Sequence, residues 1–314
     1  MNNTKNYSKN YRILFWCLLT FGFSWIIAIL LYCFSIDVNS KLGTFIIAFL
    51  FMVGPTFGTI ILKKYILNES INLKNQFFNF SFKKYILTLG LFLALILIFL
   101  FYILIFGNLL GFKELGRLNF SLDFIIRSMD LSHIKNIQGD KFAYLLPYII
   151  FSSALFFISI FSGFINSLFA SFEEIGWRGF LYDEFSNIGY FKKNLFTGVL
   201  WGIWHIPIVL QGLNFSQSPI LGSIIIIFAC ISLSFVLNFI KQKTNSIFLV
   251  SVFHGMINGV GGFIISFIEN PNDLFCGLVG IYGILATATL ALFIHLFTSS
   301  IKKLKTFNTN SISY

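Results

Sequence analysis

The sequence predicts an all-α protein that crosses a membrane about eight times, and three observations carry that expectation. Its 314 residues are 57% hydrophobic and only 11% charged, with a mean hydropathy of +0.84, whereas a water-soluble domain carries about a quarter charged residues. Apolar runs of roughly 20 residues recur, the length that spans about 30 Å of hydrocarbon as a helix. Most basic residues gather in short segments between those runs, which is a topology signal. A net charge of +10 in a soluble protein would suggest nucleic acid. With this distribution it excludes nucleic acid and makes membrane lipid the expected surroundings.

The first run, Ile13 to Phe34, is longer than the apolar stretch of a signal peptide and lacks a small-x-small cleavage site, so it is expected to remain as an anchor. Further runs lie at 43–62, 85–106, 147–172, 195–211, 220–240, 246–266 and 274–299, each bounded by charges or by Pro, Asn and Gly. The run at 195–211 is short. Pro55 and Pro147 are expected to kink spans or mark their starts. Between the third and fourth runs, segment 107–141 scatters Leu118, Phe120, Leu122, Phe124, Ile125 and Ile126 among charges. An interfacial amphipathic helix and a solvated loop both fit that pattern. The polar tails, 1–10 and 302–314, are expected to be disordered. No internal repeat or low-complexity tract is present.

Orientation follows from loop charge. With the amino terminus inside, sixteen basic residues fall on the cytoplasmic side: Lys5, Lys9, Arg12, Lys63, Lys64, Lys74, Lys83, Lys84, Arg178, Lys192, Lys193, Lys241, Lys243, Lys302, Lys303 and Lys305. The other side keeps Lys41, Lys113, Arg117, Arg127, Lys135 and Lys141, all but Lys41 in the long loop beside Glu114, Asp123, Asp130 and Asp140. The positive-inside rule therefore places both termini in the cytoplasm of a multi-pass cell-membrane protein. Cys17, Cys33, Cys230 and Cys276 show neither CxxC nor Cys/His spacing, so no disulfide framework or zinc knuckle is expected.

Ionisable residues at membrane depth cost about 2.5–3.5 kcal/mol each on insertion scales and are functional candidates by default. The apolar stretch from Leu145 to Leu181 is interrupted by Glu173, Glu174 and Arg178, and it is too long for one upright span. Glu174 and Arg178, four residues apart, share a helical face and can pair. Glu173 then points about 100° away. A carboxylate with no cation of its own in apolar surroundings suits a group that must accept and return a proton. Alternatively, both glutamates simply sit in water at the helix end.

Two histidines, His205 and His254, lie in different spans at similar depth, and Asn258 shares a helical face with His254. Glu, His and Asn together suit attack of water on an amide carbonyl, which needs a base and hydrogen-bond donors for the oxyanion. Ser171, Ser251 and the cysteines lack the context of a nucleophile and read as helix-packing groups. His133 and His295 have no acidic neighbours at helical spacing and are left out of the site. Asp183 and Glu184 are expected to form a solvated face near Lys192 and Lys193.

Three segments, in order, resemble the signature of the CAAX prenyl protease and bacteriocin-processing family of membrane endopeptidases, also called CPBP or Abi. They are EEIGWRGFL with Glu173, Glu174 and Arg178, WGIWH with His205, and HGMIN with His254 and Asn258. In the second, Trp201 stands where the family usually has Phe. The resemblance runs from about 173 to 258, roughly a quarter of the chain. It implies that Glu173 with His205 activates water while His254 and Asn258 hold the oxyanion, in a cavity open to the cytoplasmic leaflet. Glu174, Arg178 and Trp201 would support them.

The resemblance also implies a peptide or protein substrate, with lipidated ones among the options, and roles in peptide or bacteriocin maturation or self-immunity. The chain then divides into N-terminal spans and an outer loop (1–141), a catalytic helical bundle (142–300) and a cytoplasmic tail (301–314). No cofactor is expected. Glu173, His205 and His254 could instead form a zinc set, but no HExxH is present and metal-free catalysis is preferred. A non-proteolytic immunity or binding protein, and a transporter using His and Glu as a proton relay, are the competing readings.

Overall fold

Serine hydroxyls stand where the apolar runs begin. In the computed structural model Ser8, Ser40, Ser81 and Ser246 each accept the backbone N–H three residues on, at 3.0–3.4 Å, which satisfies donors the first helical turn leaves free. The structure describes residues 7–71, 77, 79–128 and 141–310, without the side chains of 122, 141–146 and 301–310.

The first half holds α1 (Lys9–Cys33), α2 (Lys41–Phe49), α3 (Gly54–Ile60), α4 (Phe82–Ile103) and α5 (Leu122–Ser128). The second holds α6 (Lys141–Glu174), α7 (Tyr182–Glu184), α8 (Tyr190–Val209), α9 (Pro219–Thr244), α10 (Ile247–Ile265), α11 (Asp273–Cys276) and α12 (Ile281–Asn310). π-helical turns continue α3 at Ile61–Ile66 and α4 at Leu104–Leu109, and one links α6 to α7 at Ile175–Leu181. Pro55 lies in the first turn of α3 and Pro147 inside α6. Between α9 and α10 the turn is two residues long: Asn245 takes the left-handed conformation (φ 49°) and Ser246 caps the next helix, as Asn at a helix end favours.

Among the described residues, seven stretches are long and apolar enough to cross a membrane: Lys9–Cys33, Lys41–Ile66, Phe82–Leu109, Pro147–Glu184, Pro219–Thr244, Ile247–Ile265 and Asp273–Ser300. The expected run at 195–211 falls in α8, which is 20 residues long and is missing from that set. It starts with Lys192, Lys193 and Asn194 and carries His205, so its mean hydropathy is low. Contacts nonetheless run α8 from one end of the bundle to the other. At one end Lys193 Nζ lies 3.8 Å from the Tyr182 ring centroid, Asn238 donates to Asn194 (2.7 Å), and Lys84 donates to the Thr244 carbonyl (2.9 Å). At the other, just past α8, Asn39 donates to the Gly212 carbonyl (3.3 Å) and the Gln217 N–H to Asp273 (2.6 Å). The chain is a multi-pass, all-α membrane protein, and apolar side chains such as Leu18, Leu97, Phe161, Leu168 and Phe297 face outward around it.

Two expectations need correction. Glu184 does not sit on a solvated face: with Glu69 it grips Arg12, at 2.6 Å and 2.5 Å, and is 12% exposed. That pairing joins residues 172 positions apart, so local spacing could not reveal it. The tail is helical beyond 302, because α12 runs unbroken to Asn310. The outer segment also adds a strand pair, Arg117–Leu118 antiparallel to Ile268–Glu269, fastened by the Arg117–Glu269 ion pair (2.5 Å). Phe120 there stacks on Tyr148, meets Phe151 edge-on and lies tilted against Phe267, and α5 buries Ile125. Asp130, His133, Lys135 and Asp140 lie outside the described residues.

Two close helix contacts set up the site. α6 and α10 meet through Gly163, Gly255 and Gly259, and a Cβ on Gly259 would stand 2.1 Å from Ser162 Cβ. α8 and α9 meet through Gly198 and Gly202, where added Cβ atoms would lie 2.3 Å and 2.5 Å from Ile231 Cα and Ile227 Cα. Small residues four apart permit this approach in membranes. Gly202→Val is expected to force α8 off α9 and cost about 1–3 kcal/mol, read as a lower thermal midpoint in detergent. An unchanged midpoint would show that the contact is slack.

Candidate active site

The first motif lies where α6 gives way to the π turn. Widening from i+4 to i+5 pairing re-aims the side chains that follow, a feature common at functional sites. From Gly176 to Leu181 every residue is buried, enclosed by α1, α3 and α9. The ion pair expected from the spacing is present. Arg178 donates to Glu174 Oε1 at 3.0 Å, with both side chains wholly buried, and to Ser234 Oγ on α9 at 3.1 Å.

α10 brings in His254. Its Nδ1 lies 2.8 Å from the same Glu174 Oε1, so one carboxylate oxygen serves both guanidinium and imidazole. Since Nδ1–H donates there, His254 directs Nε2 away from Glu174, toward the remaining site. Glu173 takes a different partner. Its Oε2 accepts the Trp201 indole N–H at 2.8 Å, while Oε1 has no hydrogen bond among the described residues. Two adjacent carboxylates face one guanidinium, and Glu173 is the one without a cation.

Trp201 is the hub. Its ring carries Arg178 Cζ 4.4 Å from the centroid and lies 5.7 Å and 5.4 Å from the rings of His205 and His254. The aromatic that stands where Phe is usual thus supplies a hydrogen bond to Glu173 that Phe could not make. His205, one turn along α8, donates Nδ1–H to the Trp201 carbonyl at 2.9 Å. A carbonyl can only accept, so in neutral His205 the lone pair is on Nε2. His205 is half-buried, whereas Glu173 and His254 are 2% and 6% exposed.

Glu173, Glu174, Arg178, Trp201, His205 and His254 are therefore brought together. Asn258 is not joined to them: it is exposed, one turn beyond His254, without a hydrogen bond among the described residues. His295 is exposed and Ser171 and Ser251 bond only to carbonyls of their own helices, in keeping with their omission. All four cysteines are free thiols. Glu173, His205 and His254 do not form a metal-holding cluster among the described residues. Glu173 Oε2 is committed to Trp201, and both histidine Nδ1 atoms to an oxygen.

Sequence reasoning missed Ser234 and the tryptophans other than Trp201. All five tryptophans of the chain lie around the site. Trp16 packs edge-on against Trp177 (4.9 Å), Trp177 against Trp204 (6.1 Å) and Trp204 against His205 (4.7 Å), while Trp25 donates to the Trp204 carbonyl (3.1 Å). The density of Trp near the motifs was a signal for Trp177 and Trp204. Nothing local tied Trp16 and Trp25 to them.

Comparison with known proteins covers the same region. Residues 150–260 match the family model described as Type II CAAX prenyl endopeptidase Rce1-like. Over 111 residues the chain is 32% identical to the Methanococcus maripaludis protein named CAAX prenyl protease 2, an alignment covering 30% of this chain and 37% of that relative. The chain thus spans little more than a third of the length of the curated relative it matches. The three motifs, the ion pair and both histidines all fall inside the matched segment, so through residues 150–260 this multi-pass membrane protein is similar to the CAAX prenyl protease (CPBP) family.

Proposed function

We propose that the protein is an intramembrane endopeptidase that uses Glu173 as the base for water and needs no metal. The observation that carries this reading is Trp201, whose indole gathers Glu173, Arg178, His205 and His254 around one ring. Water bound between Glu173 Oε1 and His205 Nε2 gives a proton to the carboxylate and its oxygen to the scissile carbonyl. The carbonyl oxygen becomes an oxyanion, which takes hydrogen bonds from His254 Nε2–H, held by Glu174, and from the Asn258 amide. Glu173 then returns its proton to the leaving amine as the C–N bond breaks. Burial and hydrogen bonding support these roles for Glu173, His205 and His254, residue type and its place one turn beyond His254 support that of Asn258, and the matched family supports the reaction class.

The basic end of the bundle, where Arg12, Lys84 and Lys193 gather, faces the cytoplasm on this reading. The site lies about 10–15 Å in from that end, given the seven to ten residues that separate it from Ile247 and Glu184 at 1.5 Å each. A peptide tethered to the membrane, with or without a lipid, meets that position as substrate. The name of the Methanococcus relative makes a prenylated peptide ending in Cys-aliphatic-aliphatic-X the first probe, and maturation or self-immunity remains the proposed role.

The test compares membrane-associated peptides from cells expressing the wild type, His205→Ala or His254→Ala. Wild-type cells are expected to lose substrates that both variants leave intact, and purified wild type in liposomes should keep its activity in a zinc chelator. Identical peptide sets in all three strains would reject the endopeptidase, and loss of activity restored by added zinc would reject metal-free chemistry.

A further inference from the structure

His205 lies two residues before Pro207, inside α8. Proline has no N–H, so the Ile203 carbonyl four residues earlier has no helical donor, and the proline ring pushes the preceding turn outward. Membrane helices tolerate such a break only where a neighbour satisfies the displaced backbone. Here the neighbour is α1, which lies outside the matched residues 150–260 and reaches not Ile203 but the next carbonyl of the displaced turn. Trp25 donates its indole N–H to the Trp204 carbonyl at 3.1 Å. On the far side of the proline, Gln211 donates to the carbonyls of Pro207 (2.9 Å) and of Ala28 on α1 (3.0 Å).

Between these two fastenings the Trp204 ring is held against Phe51 (4.4 Å) and lies edge-on to His205 (4.7 Å). We propose that α1 is an external splint across the proline break of α8, and that Trp25 is a positioning residue that sets the direction of His205 Nε2. The role in turnover rests on the endopeptidase reading. The positioning does not.

The test is made on full-length protein in liposomes with two readouts. One is the rate at which diethyl pyrocarbonate modifies His205, followed by peptide mass spectrometry with His254 as internal reference. The other is turnover of a quenched, prenylated peptide ending in Cys-aliphatic-aliphatic-X. Trp25→Phe keeps a ring and loses the donor. It is expected to raise the His205 modification rate about threefold or more and to lower kcat about three- to tenfold, with KM within about twofold.

Pro207→Ala gives the Ile203 carbonyl its helical donor and lets the turn that carries Trp204 close without outside support, so in the Trp25→Phe background it should return both readouts toward those of Pro207→Ala alone. That coupling also decides the matter if Trp25→Phe by itself fails to fold. Phe21→Leu, which removes a ring packed on Trp25 without touching the hydrogen bond, should move neither readout. Unchanged His205 reactivity in Trp25→Phe, effects of Trp25→Phe and Pro207→Ala that simply add, or the same shift in Phe21→Leu would each overturn the proposal. If Glu173→Gln cleaves the peptide as well as wild type while His205 reactivity follows the expected pattern, the endopeptidase reading falls and the splint stands.

Discussion

Glu173→Gln is expected to lower the rate of peptide cleavage about 10²–10⁴-fold, the range lost with a general base, while the protein still inserts and unfolds at the wild-type temperature. The substitution preserves shape. A glutamine carbonyl oxygen can still accept the Trp201 indole N–H now received by Oε2, and its amide then takes the place of Oε1, which has no hydrogen bond among the described residues. An amide cannot accept a proton from water at neutral pH, so catalysis alone is removed. Burst and steady-state turnover on the liposome-bound peptide, beside thermal unfolding followed by tryptophan fluorescence, would measure both. Cleavage within a few-fold of wild type would mean that Glu173 is not the base.

The second large effect is on stability. Glu174→Ala leaves Arg178 wholly buried without its counter-charge, and breaking a buried pair from one side costs about 3–5 kcal/mol. His254 also loses the acceptor that orients its Nδ1, so activity should go with the fold. Replacing both partners, as in Glu174→Gln with Arg178→Met, removes the stranded charge and should recover most of the lost stability, since an apolar pair of similar volume is often neutral. Activity should not return. Thermal midpoints of the single and double variants in detergent decide it. A single variant as stable as wild type would show that water reaches Arg178 and that the pair is not dry.

The spans were legible because crossing hydrocarbon demands a near-continuous apolar run, and composition alone reveals such a run. α8 shows the limit of that signal. Its Lys192, Lys193 and Asn194 stay at the basic end and its histidine faces neighbouring helices, so contacts with other helices, and not lipid, make its polar groups tolerable. The Glu174–Arg178 pair was legible because both residues lie within one turn. The partnership of Glu174 with His254 and of Glu173 with Trp201 was not, since each crosses from one helix to another, over 80 and 28 residues of chain.

By itself, then, the sequence determined an all-α membrane bundle, the three polar segments that had to share a depth, and the residue types available for hydrolysis. Those follow from local rules: the length of an apolar run, the periodicity of a helix, and the cost of a charge in lipid. Only the tertiary structure decided which glutamate is neutralised and which is left with a free oxygen, that Trp201 joins the four side chains around it, and that α1 braces the helix carrying His205. The physical reason is range. A hydrogen bond acts over about 3 Å, and which groups come that close depends on how helices distant in sequence pack through Gly198, Gly202, Gly255 and Gly259.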